Sequence, residues 1–145
     1  MRVLFDANVF IRYVLNRHQQ SAVLTIVNAA LAGEVELLVP LELIDELTRN
    51  ITQGKLARKV NKAQFDRLMT LLMEIGKQPL RLVPPVPAYT RDAKDDYLIA
   101  HALAQQIDYV VSADNDLLVL AQVGSVQIVS PGAFSALLRQ PDDRN

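Results

Sequence analysis

Four stretches of this 145-residue chain place carboxylates where they could do chemistry. Asp6 directly follows the apolar run Val3–Phe5, and Asp114 and Asp116 follow the β-branched run of DYVVS, Asp108 to Ser112. Asp95 and Asp96 open an apolar helical segment, and Glu46 lies inside another. Asp6 and Asp114 share one position, just past the C-terminal end of a strand. In an open α/β sheet ligands bind along that edge, so acids distant in the chain can converge there. Gathered carboxylates repel and raise one another's pKa, and a cation relieves that cost. There is no Cys, which excludes thiolate sites, and with only His18 and His101 a His-rich zinc centre is not expected. A metal would therefore be held by oxygen, which suits Mg²⁺ or Mn²⁺.

A second pattern bears on the substrate. Arg49, Lys55, Arg58, Lys59, Lys62 and Arg67 crowd one stretch against Asp66 alone, although the whole chain has a net charge of only −1. Local positive charge attracts phosphates. A hard metal beside such a patch is the logic of metal-assisted phosphodiester hydrolysis. Each feature also has a plainer reading. Asp95, Asp96 or Asp116 alone could cap a helix, and a basic run is often a solvated helix face. Asp6 resists that treatment, because an aspartate at a buried strand end needs partners or a metal.

Alternating strands and helices would position these groups. Val3–Phe5 reads as a strand, Val9–Leu15 and Ser21–Leu31 as helices, and Val35–Val39 as a second strand. Ser21 is placed as an N-cap and Gly33 at the C-cap of the second helix. Leu41–Ile51 and Asn61–Ile75 are amphipathic helices around Gly54. Leu80–Val83 is expected as a third strand, before the stiff connection PPVPAYTRD. Asp95–Gln106 is a helix, Asp108–Ser112 a strand, Asp116–Ala121 a short helix, Val126–Val129 the last strand, and Pro131–Arg139 a helix with Pro at its first position. The alternation predicts an α/β fold with a mostly parallel central sheet flanked by helices. Residues 1–139 are expected as one domain and 140–145 as a frayed tail. Half the residues are hydrophobic, yet no run approaches the roughly 18 residues of a membrane span. With no leader-like opening, a cytoplasmic protein is expected, away from membranes.

The order Asp6-x-Asn8, Glu46, Asp96-x-x-Ile99-Ala100 and SADNDLL from Ser112 to Leu118 resembles the PIN domain. RDAKDDYLIAHALAQQIDYVVSADNDLL is similar to the toxin-component branch of that family, akin to the VapC-like toxins of type II toxin–antitoxin pairs. The resemblance covers about Arg2 to Leu138. It implies a parallel sheet flanked by helices, an acidic pocket for Mg²⁺ or Mn²⁺, and endonucleolytic cleavage of RNA. Carried over by position, Asp6, Glu46, Asp96 and Asp114 match an acidic quartet, and Asp116 a further acid. Asn8 and Ser112 match residues that orient the acids of the first and fourth strands. Ser112-Ala113 stands where Thr-Gly is commoner. The D-x-x-I-A spacing selects Asp96 as third acid, whereas the RD-x-x-D spacing points to Asp95. Asp96 is preferred, with Asp95 as an orienting neighbour.

On this reading Asp6, Asp96, Asp114 and Asp116 ligate the metal. Glu46 completes the site, and Glu46 or Asp116 orients the attacking water. Arg49, Lys55, Arg58, Lys59 and Lys62 would contact RNA phosphates, and Phe10, Tyr13, Tyr89 and Tyr97 could stack on bases. Phe5 and Phe65 read as core. The resemblance also implies an antitoxin partner and a homodimer, with Val9–Leu15 and Ser21–Leu31 as interface or core. Two other functions fit the same residues: a housekeeping PIN nuclease in RNA processing, and a catalytically silent PIN-like module that binds RNA or protein. A phosphatase of doubly wound type fits less well, because Asn8 stands where a DxD motif needs Asp.

Overall fold

A computed structural model describes residues 1–15 and 21–140 of the chain. His18 and most of the expected tail lie outside the described residues, as does the Lys55 side chain. Five strands form one sheet: β1 (Arg2–Phe5), β2 (Glu36–Leu38), β3 (Tyr109–Val111), β4 (Gln122–Val123) and β5 (Val126–Val129). Their spatial order is β2-β1-β3-β5-β4, parallel except for the β4–β5 hairpin. The helices are α1 (Ala7–Leu15), α2 (Ala22–Leu31), α3 (Leu41–Thr52), α4 (Lys62–Ile75), α5 (Asp96–Ala104), α6 (Asn115–Leu118) and α7 (Pro131–Arg139). The expected α/β class and mostly parallel sheet are thus found.

Alternating side chains divide the apolar residues between two cores. Val3 and Phe5 of β1, Leu37 of β2 and Val111 of β3 face one core with α1 to α4 and α7. Leu4, Leu38 and Val110, their strand neighbours, face the other with α5 and α6. Sheet strands buried on both faces need near-continuous apolar runs, which VLF, ELL and YVV nearly provide. The chain leaves β1 for β2 on one side and returns to β3 on the other. The crevice at the C-terminal end of β1 is therefore a topological switch point, the place where open α/β sheets bind ligands.

Local signals in the sequence fix several helix ends. Ser21 Oγ accepts from the Leu24 amide at 3.1 Å, and Gly33 follows the end of α2 at φ 77°. That left-handed conformation favours glycine. Asn61 and Gln64 form a capping box on α4. Two expectations fail. Leu80–Val83 is not a strand: the edge of β2 accepts only Lys77, through a bridge to Leu38. Pro79 has no N–H to extend that ladder, the Leu82 amide donates instead to Glu42 Oε2 at 3.0 Å, and Leu80 is 92 % exposed. The helix expected at Asp116–Ala121 stops at Leu118, and the chain enters the β4–β5 hairpin, unforeseen although VGSV carries a two-residue Gly-Ser turn. Phe10 is also core rather than a stacking surface, buried against the Phe5 ring at 5.9 Å between centroids.

Candidate functional site

Strand register brings the first two site residues together. Phe5 pairs with Val111, so Asp6 and Ser112 leave adjacent parallel strands side by side. The Asp6 amide extends the ladder to the Val111 carbonyl at 2.9 Å. Its carboxylate accepts from Ser112 Oγ at 2.8 Å, the Ala7 amide at 2.7 Å and Asn8 Nδ2 at 3.1 Å. Ser112 Oγ accepts in turn from the Asp114 amide at 3.0 Å, so one fully buried hydroxyl ties both strand ends. Asp114 Oδ1 caps α6 through the Asp116 amide at 2.9 Å. Asp116 itself is half-buried in the first turn of α6.

The two adjacent aspartates of the third stretch part company. A short 3₁₀ turn, Ala93–Asp95, precedes α5, and Asp92 caps it by accepting from the Lys94 amide at 3.1 Å. That leaves Asp95 with no capping bond, and one of its oxygens lies within 4.8 Å of oxygens of Asp6 and Glu46. Asp96 Oδ1 instead accepts from the Tyr89 amide at 2.9 Å, the Thr90 amide at 2.8 Å and Thr90 Oγ1 at 3.0 Å. The aspartate brought to the cluster is thus the neighbour of the preferred Asp96. Asp95 joins the cluster, and Asp96 fastens the proline-rich connection to the start of α5.

Helix α3 supplies Glu46, whose Oε2 accepts from the Tyr97 hydroxyl at 2.5 Å. One turn earlier, Glu42 Oε2 lies 3.0 Å from Nε2 of His101, which is 1 % exposed. These contacts between α3 and α5 were not foreseen. The i, i+4 spacing of Glu42 with Glu46 and of Tyr97 with His101 was visible, but nothing local says that the two helices meet.

The electrostatics reflect crowding without a counter-ion. Burial, opposed by the Ser112 bond and reinforced by Glu46 and Asp114, pushes Asp6 up to about 6. Burial and then the charges of Asp6, Asp114, Asp92 and Glu46 push Asp95 up to about 7. Asp96 moves the other way: burial raises it, but the Thr90 and Tyr89 donors outweigh burial and hold it below the ordinary value. Burial and the neighbouring Glu46 charge push the Tyr97 phenol upward, so it remains a donor. The oxygens fit a hard divalent cation in type, since none competes with a thiolate or imidazole. In a Mg²⁺ octahedron, ligands at about 2.1 Å stand up to about 4.2 Å apart. The cluster oxygens lie within 4.8 Å of one another, the scale of such a coordination shell.

Beside the acids opens a cleft of about 440 Å³, lined by Glu42, Asp45, Glu46, Arg49, Lys94 and Tyr97, with Asn50. Arg49 follows Glu46 by three residues on α3, so both face this space. Arg58, Lys59 and Lys62 are exposed and are not among its lining residues. Lys94 joins the lining although the sequence reading passed over it, because an isolated Lys between Asp92 and Asp95 carries no local signal.

The description "PIN domain" matches residues 2–116. A search of curated proteins finds no match. Among solved structures, a chain of the VapBC2 complex from Rickettsia felis, solved bound to a DNA fragment from their promoter, is similar at 10 % identity and a TM-score of 0.59. The match covers 90 % of this chain and 98 % of that one, a likeness of fold. With the family match spanning most of the sequence and all four acidic stretches, this chain belongs to the PIN-domain family.

Proposed function

We propose that this protein is a divalent-cation-dependent endoribonuclease and the toxin of a toxin–antitoxin pair. The observation that carries the nuclease reading is the approach of Asp6, Glu46 and Asp95 oxygens within 4.8 Å at the switch point of the sheet. Asp6, Glu46, Asp95 and Asp114 would hold Mg²⁺ or Mn²⁺, with Asp95 taking the place first given to Asp96. When bound, the cation stabilises charge on the phosphoryl oxygens and supplies a water of lowered pKa. The protein's own groups do the rest. Ser112, Asn8 and the Ala7 amide hold the Asp6 carboxylate in one orientation. Asp116, in the first turn of α6, is the acid left to accept a proton from the attacking water. Arg49 and Lys94 would seat a phosphate in the cleft, with Arg58, Lys59 and Lys62 extending the path. A bound cation would compete with the protons that Asp6 and Asp95, raised to about 6 and about 7, take up as pH falls, so affinity would rise with pH.

The toxin assignment is supported by the sequence resemblance and by the fold shared with the VapBC2 chain. RNA, an antitoxin and a second copy of the chain are the proposed partners, in the cytoplasm; no helix among the described residues is long and apolar enough to cross a membrane. The test is cleavage of a mixed labelled RNA by purified protein with Mn²⁺ or Mg²⁺ against EDTA, beside Asp6→Ala. Cleavage that needs metal and disappears in the variant is expected. Cleavage that persists in EDTA or in Asp6→Ala would overturn the assignment.

A further inference from the structure

Helices α3 and α5 meet through two polar contacts one turn apart. Glu42 and Glu46 are four residues apart on α3, and Tyr97 and His101 are four apart on α5, so each pair shares a face. The lower contact joins His101 to Glu42 at 3.0 Å, with the Leu82 amide donating to the same oxygen at 3.0 Å. The upper contact reaches the acidic cluster, because Tyr97 donates to Glu46. The Tyr97 side chain packs against both apolar cores, which confines its ring and therefore its hydroxyl.

We propose that Tyr97 is a positioning residue for Glu46: its hydroxyl occupies Oε2 and leaves Oε1 as the oxygen Glu46 offers a divalent cation. Glu46 needs such a restraint. Its side chain has three rotatable bonds, lines an open cleft, and brings an oxygen within 4.8 Å of oxygens of Asp6 and Asp95. Without a donor it would swing into the cleft, away from two like charges. With the donor it is held where a cation can join it. Removing such an outer partner of a ligand commonly weakens metal affinity about 10- to 100-fold.

The inference rests on the metal site proposed above, so its test reads metal directly and uses no RNA. Mn²⁺ affinity is measured by electron paramagnetic resonance for the wild type, Tyr97→Phe, Glu46→Gln and the double variant. Phe keeps the ring and the packing and loses only the hydroxyl. A fall of about 10- to 100-fold in Tyr97→Phe is expected, with little further loss when the same change is made on Glu46→Gln. Wild-type affinity in Tyr97→Phe, or an equal loss with and without Glu46, would overturn the positioning role while leaving the metal site standing. Failure of the wild type to bind Mn²⁺ would overturn both.

Discussion

Replacing Asp95 or Asp96 by Asn should shift stability in opposite directions, although the residues are adjacent. Asp95 sits among like charges. Its rise from 3.8 to about 7 means that, without a cation, the folded state holds a proton which the unfolded state releases between those two pH values. Stability of the metal-free protein therefore falls as pH rises from about 4 to about 7 and levels off above. The difference corresponds to about 4 kcal/mol at most. The neighbouring cleft admits solvent and screening ions, so about 2 kcal/mol is the effect expected in practice. Asp95→Asn removes the charge, and at pH 8 the metal-free variant should be more stable than wild type by that amount. Asp96 is the reverse case. Its lowered pKa contributes stability above the ordinary aspartate value, lost as pH falls through the folded one. Asp96→Asn keeps an oxygen for the Tyr89 and Thr90 donors but loses the charge that strengthens them, at a cost of about 1–2 kcal/mol. Urea unfolding at pH 5 and pH 8, with Mn²⁺ and with EDTA, separates the two. Asp95→Asn should flatten the decline and lose the stabilisation by Mn²⁺, while Asp96→Asn should keep both. Loss of stability in metal-free Asp95→Asn at pH 8, or an undiminished Mn²⁺ effect there, would refute the placement of Asp95 in the centre.

Three further outcomes follow from the same contacts. Asp6→Asn should lower metal-dependent RNA cleavage by about 100-fold or more, since losing a charged ligand costs at least what losing an outer partner of one does, while circular dichroism shows a folded protein, since Asn still accepts from Ser112; retained turnover would remove Asp6 from the site. Neutralising Arg49 and Lys94 together should weaken RNA binding and reduce the slope of log affinity against log salt by about 1.4, two phosphates on a single strand; an unchanged slope would move the RNA path out of the cleft. Glu42→Ala should destabilise the fold by about 2–3 kcal/mol, because it strips the buried His101 and the Leu82 amide of their shared partner; a thermal melt within error of wild type would count against that contact.

Much of the frame was legible in the sequence. The apolar runs of β1 to β3, the caps at Ser21 and Gly33, and acids just past strand ends are local or nearly local signals. They report backbone preference and burial, which a short window contains. Parallel pairing then made one consequence unavoidable: if Val3–Phe5 and Tyr109–Val111 lie side by side, Asp6 and Ser112 emerge together.

What the sequence could not decide was which of two adjacent aspartates faces the cluster. Neighbouring residues near a helix start point about 100° apart, so the answer hangs on where the 3₁₀ turn gives way to α5. Asp92 sets that point by capping the turn, and the Tyr89–Thr90 backbone holds Asp96 away. The strand expected at Leu80–Val83 failed for a similar reason, since the Leu82 amide donates to Glu42, Arg81 pairs with Asp45, and Leu80 and Val83 face solvent rather than a neighbouring strand. The pairing of Glu46 with Tyr97 and of Glu42 with His101 lay beyond reach as well. Side-chain chemistry and helical spacing belong to the sequence, whereas the angle at which two helices meet is set by the packing of both cores, and only the tertiary structure contains it.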